Sequence, residues 1–128
     1  MDQIANMLIM IKNASLARKE TVSFPYSKVK HAILNCLSKE GYITDVSKKT
    51  KKNFPILEAT LLYKEEGPRI HDISRVSKPS RRVYMGVREI KSFKQGRGIT
   101  VFSTPKGILI DKEARKELVG GEVLFTIW

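Results

Sequence analysis

Apolar positions near the amino terminus recur with a helical period. Ile4, Met7, Leu8 and Ile11 stand at i, i+3, i+4 and i+7, one face of a helix that Asp2 can cap and that runs to about Ala14. Ile9 and Met10 lie off that stripe, so the helix is apolar nearly all round; burial on two sides is the expectation, a contact surface the alternative. Residues 21–24 read as a short strand stopped by Pro25. Ser27 then caps a second helix ended by Gly41, with Val29, Ala32, Ile33, Cys36 and Leu37 as its apolar stripe. Residues 42–47 form a strand candidate, 48–53 a basic hairpin-like loop and 54–63 the return strand. The run Glu65-Glu66-Gly67-Pro68 breaks the pattern and marks a boundary between a domain of residues 1–64 and one of residues 69–128.

The second half alternates more than it spirals. Residues 70–76 read as a strand, 77–82 as a basic turn, 83–84 as extended chain, and 87–93 as a short helix or irregular link. Two apolar, β-prone runs, 99–102 and 108–110, flank Ser103-Thr104-Pro105-Lys106-Gly107, which is turn chemistry. Asp111 is placed to cap a helix over 112–119, with Gly120 just past its end. Residues 123–128 are apolar on both faces, as a strand buried mid-sheet would be. The fold class is α+β: an N-terminal helix-strand-helix-strand-strand unit and a C-terminal, mostly β unit with one short helix.

Charge narrows the partner. The 128 residues carry 24 Lys+Arg against 13 Asp+Glu, a formal +11, and 41% hydrophobic residues supply a core. Nucleic acid, an anionic membrane surface or an acidic protein suits such an excess. Residues 1–64 hold 11 Lys/Arg and 5 Asp/Glu, residues 65–128 hold 13 and 8, so the excess is shared and is no detachable tail. No apolar run approaches 18 residues, and the start lacks the basic front end of a secretory signal, so no membrane partner is expected. The single Cys36 excludes an internal disulfide and fits a reducing compartment. Between Arg69 and Arg97 nine Lys/Arg face only Asp72 and Glu89, with Tyr84 and Phe93 interleaved. Cations for phosphates with rings for ribose or bases is a nucleic-acid pattern.

Catalytic chemistry is not found in the sequence. It holds no GxxxxGK[ST] or GxGxxG loop, no HExxH and no CxxC, so no metal or cofactor is expected. Cys36 sits on the apolar stripe while His31 falls off it, which argues against a thiol–base pair. A nuclease holding Mg²⁺ on Asp111 and Glu122 is one rival reading; a scaffold for an acidic protein is another. The better-equipped element is the turn, whose tip offers the hydroxyls of Ser103 and Thr104, the cation of Lys106 and bare backbone at Gly107.

The residues as laid out resemble the small-subunit ribosomal protein family numbered eight, bacterial type, over essentially the whole chain. The signature is Ser103-Thr104, two variable residues, Gly107, two aliphatics, and Ala114-Arg115. Gly120-Gly121-Glu122-Val123, Ile127-Trp128, the run 73–79 with Arg82 and Tyr84, and Asp2, Ile4-Ala5, Met7-Leu8 and 11–14 also match. Pro25, the run 27–30 and the run 40–43 complete it. The resemblance implies a two-domain α/β protein, not an enzyme, that binds the central domain of small-subunit ribosomal RNA as a primary assembly binder. It would neighbour other small-subunit proteins in a cytoplasmic ribosome, an organelle ribosome being the alternative, and would repress its own operon through a messenger RNA that mimics the ribosomal site. Ser103, Thr104, Pro105, Lys106 and Gly107 would grip an irregular RNA core from its minor groove, with Glu122 close by. Tyr84, Lys12, Ser27, Lys28, Lys30, Lys78 and Arg82 would make further RNA contacts. Pro105 stands where the family usually has Ser, Ile9-Met10 where it has Thr-Arg, Phe102 where it has an aliphatic residue and Ser80 where it has Gly. The expectation is an RNA grip with less help from the first helix.

Overall fold

The computed structural model describes residues 3–65, 67–91 and 97–128. Asp2, Glu66 and Phe93, used above, lie outside the described residues. Two compact units divide the chain after His71.

The first unit runs α1 (Gln3–Leu16), β1 (Thr21–Pro25), α2 (Lys28–Lys39), β2 (Ile43–Lys51) and β3 (Phe54–Leu61), followed by a small hairpin of β4 (Tyr63–Lys64) and β5 (Gly67–Pro68). Its antiparallel sheet has the order β1-β3-β2. Along β3, Leu57, Ala59 and Leu61 are buried while their neighbours are partly exposed, the period of two that marks a sheet with one covered face. Met7, Leu8, Ile11 and Ala14 of α1, Ile33, Leu34 and Leu37 of α2, and Phe24 of β1 supply the rest of its buried apolar set.

Several expectations are corrected here. Ile9 and Met10 are 56% and 43% exposed, so α1 buries one face only, the stripe that fits its period. On α2 the buried face is turned by about one residue: Leu34 is fully buried and Val29 is exposed. The basic loop is shorter than its charge suggests. Lys48–Lys51 pair with Leu57–Phe54 inside the ladder, and only Lys52 and Asn53 form the turn. Both have positive φ, 50° and 67°, the pair of left-handed residues that matches strand twist in a two-residue hairpin. Gly67 and Pro68, expected to break the pattern, pair with Lys64 and Tyr63.

The second unit runs β6 (Ile73–Arg75), β7 (Tyr84–Met85), a 3-10 turn (Val87–Glu89), β8 (Ile99–Thr104), β9 (Gly107–Ile110), α3 (Asp111–Lys116) and β10 (Gly121–Ile127). The strand expected over 70–76 is confined to β6. The sheet order is β6-β10-β8-β9, with β7 also paired to β10. Strands β6 and β7 therefore lie end to end along one side of β10: β6 against residues 125–127, β7 against Gly121 and Glu122. Strand β10 is central, as its apolar run implies. Ile90, Phe102, Ala114 and Val123 form a buried cluster, flanked by Val76, Val83, Met85, Leu109 and Val119.

Asp111 does not cap α3. It is buried in the first turn, Ile110 holds the capping position, and the Glu113 carboxylate accepts the Ile110 N–H at 3.2 Å. Nor does Gly120 end the helix. Leu118 takes the left-handed conformation (φ 58°), with Leu118 N–H on Arg115 O and Val119 N–H on Ala114 O, a Schellman motif. The same pair of bonds closes α1 at Arg18 and α2 at Gly41.

Candidate nucleic-acid interface

Cross-strand register builds a polar row at one end of the second sheet. Glu122 on β10 is paired with Tyr84 on β7 and with Ser103 on β8. Residues in register across neighbouring strands share a face and stand about 5 Å apart. Tyr84, Glu122 and Ser103 thus form one line about 10 Å long. Their chain neighbours Phe102 and Val123 point the other way into the buried cluster, which fixes the strands beneath the row. Tyr84 is 67% exposed. The row borders an open depression of about 570 Å³ lined also by Met85, Thr104, Pro105 and Gly120.

Two glycines make that register possible. A Cβ on Gly121 would lie 2.2 Å from Ser103 O, and one on Gly120 would lie 2.3 Å from Met85 O. The entry of β10 is threaded between the backbones of β7 and β8, and only residues without side chains pass there.

The turn differs from its sequence reading. Ser103 and Thr104 belong to β8, paired with Ile108 and Gly107, so the loop is Pro105-Lys106 alone. Gly107 carries φ 109°, which explains its place at the end of that loop. The Thr104 hydroxyl donates to Gly107 O at 2.8 Å and accepts the Lys106 N–H at 3.1 Å. Thr104 therefore shapes the turn. Ser103 is exposed, and its hydroxyl has no hydrogen bond among the described residues. Lys106 reaches back to the Glu117 carboxylate at 3.3 Å, so the tip's cation is drawn toward the end of α3.

Charge around the row is also arranged. Arg82 donates to the Glu122 carboxylate at 3.1 Å. That use of Glu122, together with Asp111 buried in α3, speaks against a paired-carboxylate metal site, and no cluster of three or more His, Cys, Asp or Glu suited to a metal occurs among the described residues. Lys78 and Arg81 close a reverse turn over Pro79-Ser80, with each N–H on the other's carbonyl at 2.9 Å. Ser80 keeps a negative φ, so a glycine is not required there.

Two supporting residues lie in the family-like run 73–79, but the sequence assigns them no role. Ser77 is fully buried; its hydroxyl accepts the Val83 N–H at 2.9 Å and donates to Val83 O at 3.2 Å, holding the segment that carries Arg82 and leads into Tyr84 of β7. The Arg75 guanidinium donates to the Leu124 carbonyl at a bulge in β10. Such roles depend on tertiary contacts between residues 6 and 49 positions apart.

The remaining candidates belong to the first unit. Ser27 caps α2, its hydroxyl accepting the Lys30 N–H at 3.1 Å. Lys28 is exposed at the start of α2, and Lys12 is half-buried on α1. Lys30 is 8% exposed. His31 packs edge-on to the Tyr26 ring, over which Lys48 lies at 4.1 Å. No described helix is long and apolar enough to cross a membrane.

Row, turn and spread charge are the equipment of a binding surface. Residues 2–128 match the family described as Ribosomal protein S8. A small ribosomal subunit protein uS8 of Ruegeria pomeroyi is 49% identical over 128 residues, covering 99% of this chain and 98% of its own. Proteins of that name from Kosmotoga olearia and Chlorobaculum tepidum are 48% and 44% identical at 99% coverage of this chain and 98% and 97% of theirs. The chain belongs to the ribosomal protein S8 family, a family of structural, non-enzymatic proteins.

Proposed function

We propose that the chain is a structural component of the small ribosomal subunit in the cytoplasm, where it binds the central domain of small-subunit ribosomal RNA directly and early in assembly. The observation that carries this reading is the Tyr84–Glu122–Ser103 row, held in register by three strands. The wide, shallow minor groove of an RNA helix displays 2′-hydroxyls and base edges, and bases splayed from irregular helices stack on aromatic rings. The Ser103 hydroxyl and the backbone at Pro105 and Gly107 suit the former, the Tyr84 ring the latter. Glu122, oriented by Arg82, suits an amino group on a base. Lys12, Lys28, Lys78 and Arg82 supply the salt-dependent anchor, with Lys106 and Ser27 at its margins. The units 3–71 and 72–128 serve as two domains on one RNA, and other small-subunit proteins pack beside them.

Binding to a central-domain ribosomal RNA fragment and to a scrambled duplex, each across a salt series, tests the reading. Ser103→Ala/Thr104→Val should abolish the preference for the fragment while weak non-specific binding persists. Equal binding of both RNAs by the unaltered protein sinks it. Repression of the chain's own operon is part of the same proposal, because a messenger RNA folded to the same shape would occupy the same row. Such a messenger should compete with the ribosomal fragment one for one, and simultaneous binding would overturn that extension.

A further inference from the structure

A second surface lies on the first unit, between α1 and β1. Two open depressions of about 490 and 400 Å³ meet at Met10. The first is lined by Ala14, Ala17, Lys19 and the β1 residues Thr21, Val22 and Ser23. The second is lined by Gln3, Asn6, Phe24, Pro25, Tyr26 and Lys30. Adjoining at Met10, they make a channel alongside β1, lined by apolar and polar side chains with Lys19 in the first depression and Lys30 in the second.

Strand β1 is an edge strand. Tyr26 N–H donates to Pro55 O, and Leu61 N–H donates to Glu20 O. Even-numbered residues of β1 therefore turn their backbone groups to β3, and Thr21 and Ser23 turn theirs outward. Both are exposed. An unpaired edge is a template for another strand. Pro25, which has no N–H, limits this one to a short pairing.

Lys30 defines the chemistry at one end. It is 8% exposed and has no ion pair among the described residues. Since no buried side-chain nitrogen among the described residues lacks a partner, its ammonium keeps contact with solvent, and the residue lines the second depression. The amides of Gln3 and Asn6 line the same depression and can donate to the same oxygen.

We propose that this channel docks an extended segment of a neighbouring protein, added along the free edge of β1, with an apolar side chain over Met10 and a carboxylate meeting Lys30. One cation in each depression, with Lys30 recessed, beside apolar side chains, matches a carboxylate on a peptide; the phosphates of an RNA strand call for a row of protruding cations. The exposed Ile9 and Met10 extend the apolar floor onto α1. The proposal rests on the ribosomal reading only for the particle in which the partner is met.

The test uses Ser23→Cys in a Cys36→Ala background, carrying benzophenone maleimide, in small subunits from cells with this variant as the sole copy. Irradiation, ribonuclease and protease digestion, and mass spectrometry identify the attached group. A peptide bearing Asp or Glu within a few residues of the cross-link is the expected product. Lys30→Met, which keeps the buried stem, should lower its yield about tenfold. A nucleotide adduct, an intraprotein adduct or no adduct overturns the proposal. So does an acidic-peptide adduct whose yield ignores Lys30→Met. The same labelled protein is titrated with the central-domain fragment, so a failure of the RNA reading appears there and not in the cross-link.

Discussion

The two long hairpins of this chain end in tips of opposite character. The β2–β3 tip turns through Lys52 and Asn53 and carries Lys48, Lys49, Lys51 and Lys52 on its last residues. The β8–β9 tip turns through Pro105 and Lys106 and offers hydroxyls, bare backbone and one cation already turned toward Glu117. Even on the first tip the cations are unequal. Lys49 is held by Glu58 at 2.9 Å and Lys48 lies over Tyr26, while Lys51 and Lys52 have no such partner among the described residues. The two tips are thus equipped differently, the first for attraction to a polyanion and the second, on the reading proposed above, for recognition of its shape. Cations position without carrying sequence or shape information, and fixed donors and acceptors carry that information with little long-range pull.

The sharpest way to break the contrast is Gly121→Ala. Its Cβ must displace the Ser103 backbone, at a cost of about 3 kcal/mol or more, and both denaturant unfolding and the preference for the specific RNA should show the loss. Ser77→Ala comes next. It leaves the Val83 N–H and C=O without their side-chain partner and should cost about 1–3 kcal/mol in the same unfolding experiment. Leu118→Gly should move the other way. It relieves a left-handed residue that is 77% exposed and should add up to about 1 kcal/mol, read as a raised Tm with RNA binding unchanged. Lys51→Gln/Lys52→Gln should leave stability alone and flatten the salt dependence of RNA binding, by about 0.7–0.9 in slope for each phosphate no longer neutralised, with the specific-to-scrambled ratio intact. The smallest effect belongs to Lys49→Ala, below about 0.5 kcal/mol, because its pair with Glu58 is solvent-exposed.

Elements with one dominant local cause are legible in the sequence. Ser27 announces the start of α2, and the α1 stripe of Met7, Leu8 and Ile11 announces its buried face. Where two causes compete, the pattern misleads. That of α2 accommodates either Val29 or Leu34 in its stripe, and packing against the sheet chooses Leu34. Four lysines in five residues look like a loop because charge suggests solvent, yet Lys48, Lys49 and Lys51 lie in β2, whose last four residues are exposed on both faces, and only Lys52 is in the turn. Gly120 looks like a helix cap because glycine usually is one, but Leu118 bears that strain and Gly120 answers to the backbone of β7. Each member of the polar row stands out in the sequence by its residue type. Their alignment does not, since register across three strands is set by contacts between residues far apart in sequence.

The bulge in β10 has a consequence for insertions and deletions. Val123 faces Phe102 and Phe125 faces Val101, so Leu124 is a residue that the neighbouring strand does not count. Glu122 and Phe125, an odd number of positions apart, consequently share a face, which a regular strand forbids. Loss of one residue from mid-strand ordinarily turns everything beyond it inside out. At Leu124 it would instead restore an unbroken ladder with every later side chain on its present side, the losses being one buried leucine and the carbonyl that Arg75 holds. The strand thus carries a spare position, and its parity is tolerant at the one point where its hydrogen-bond ladder is not continuous.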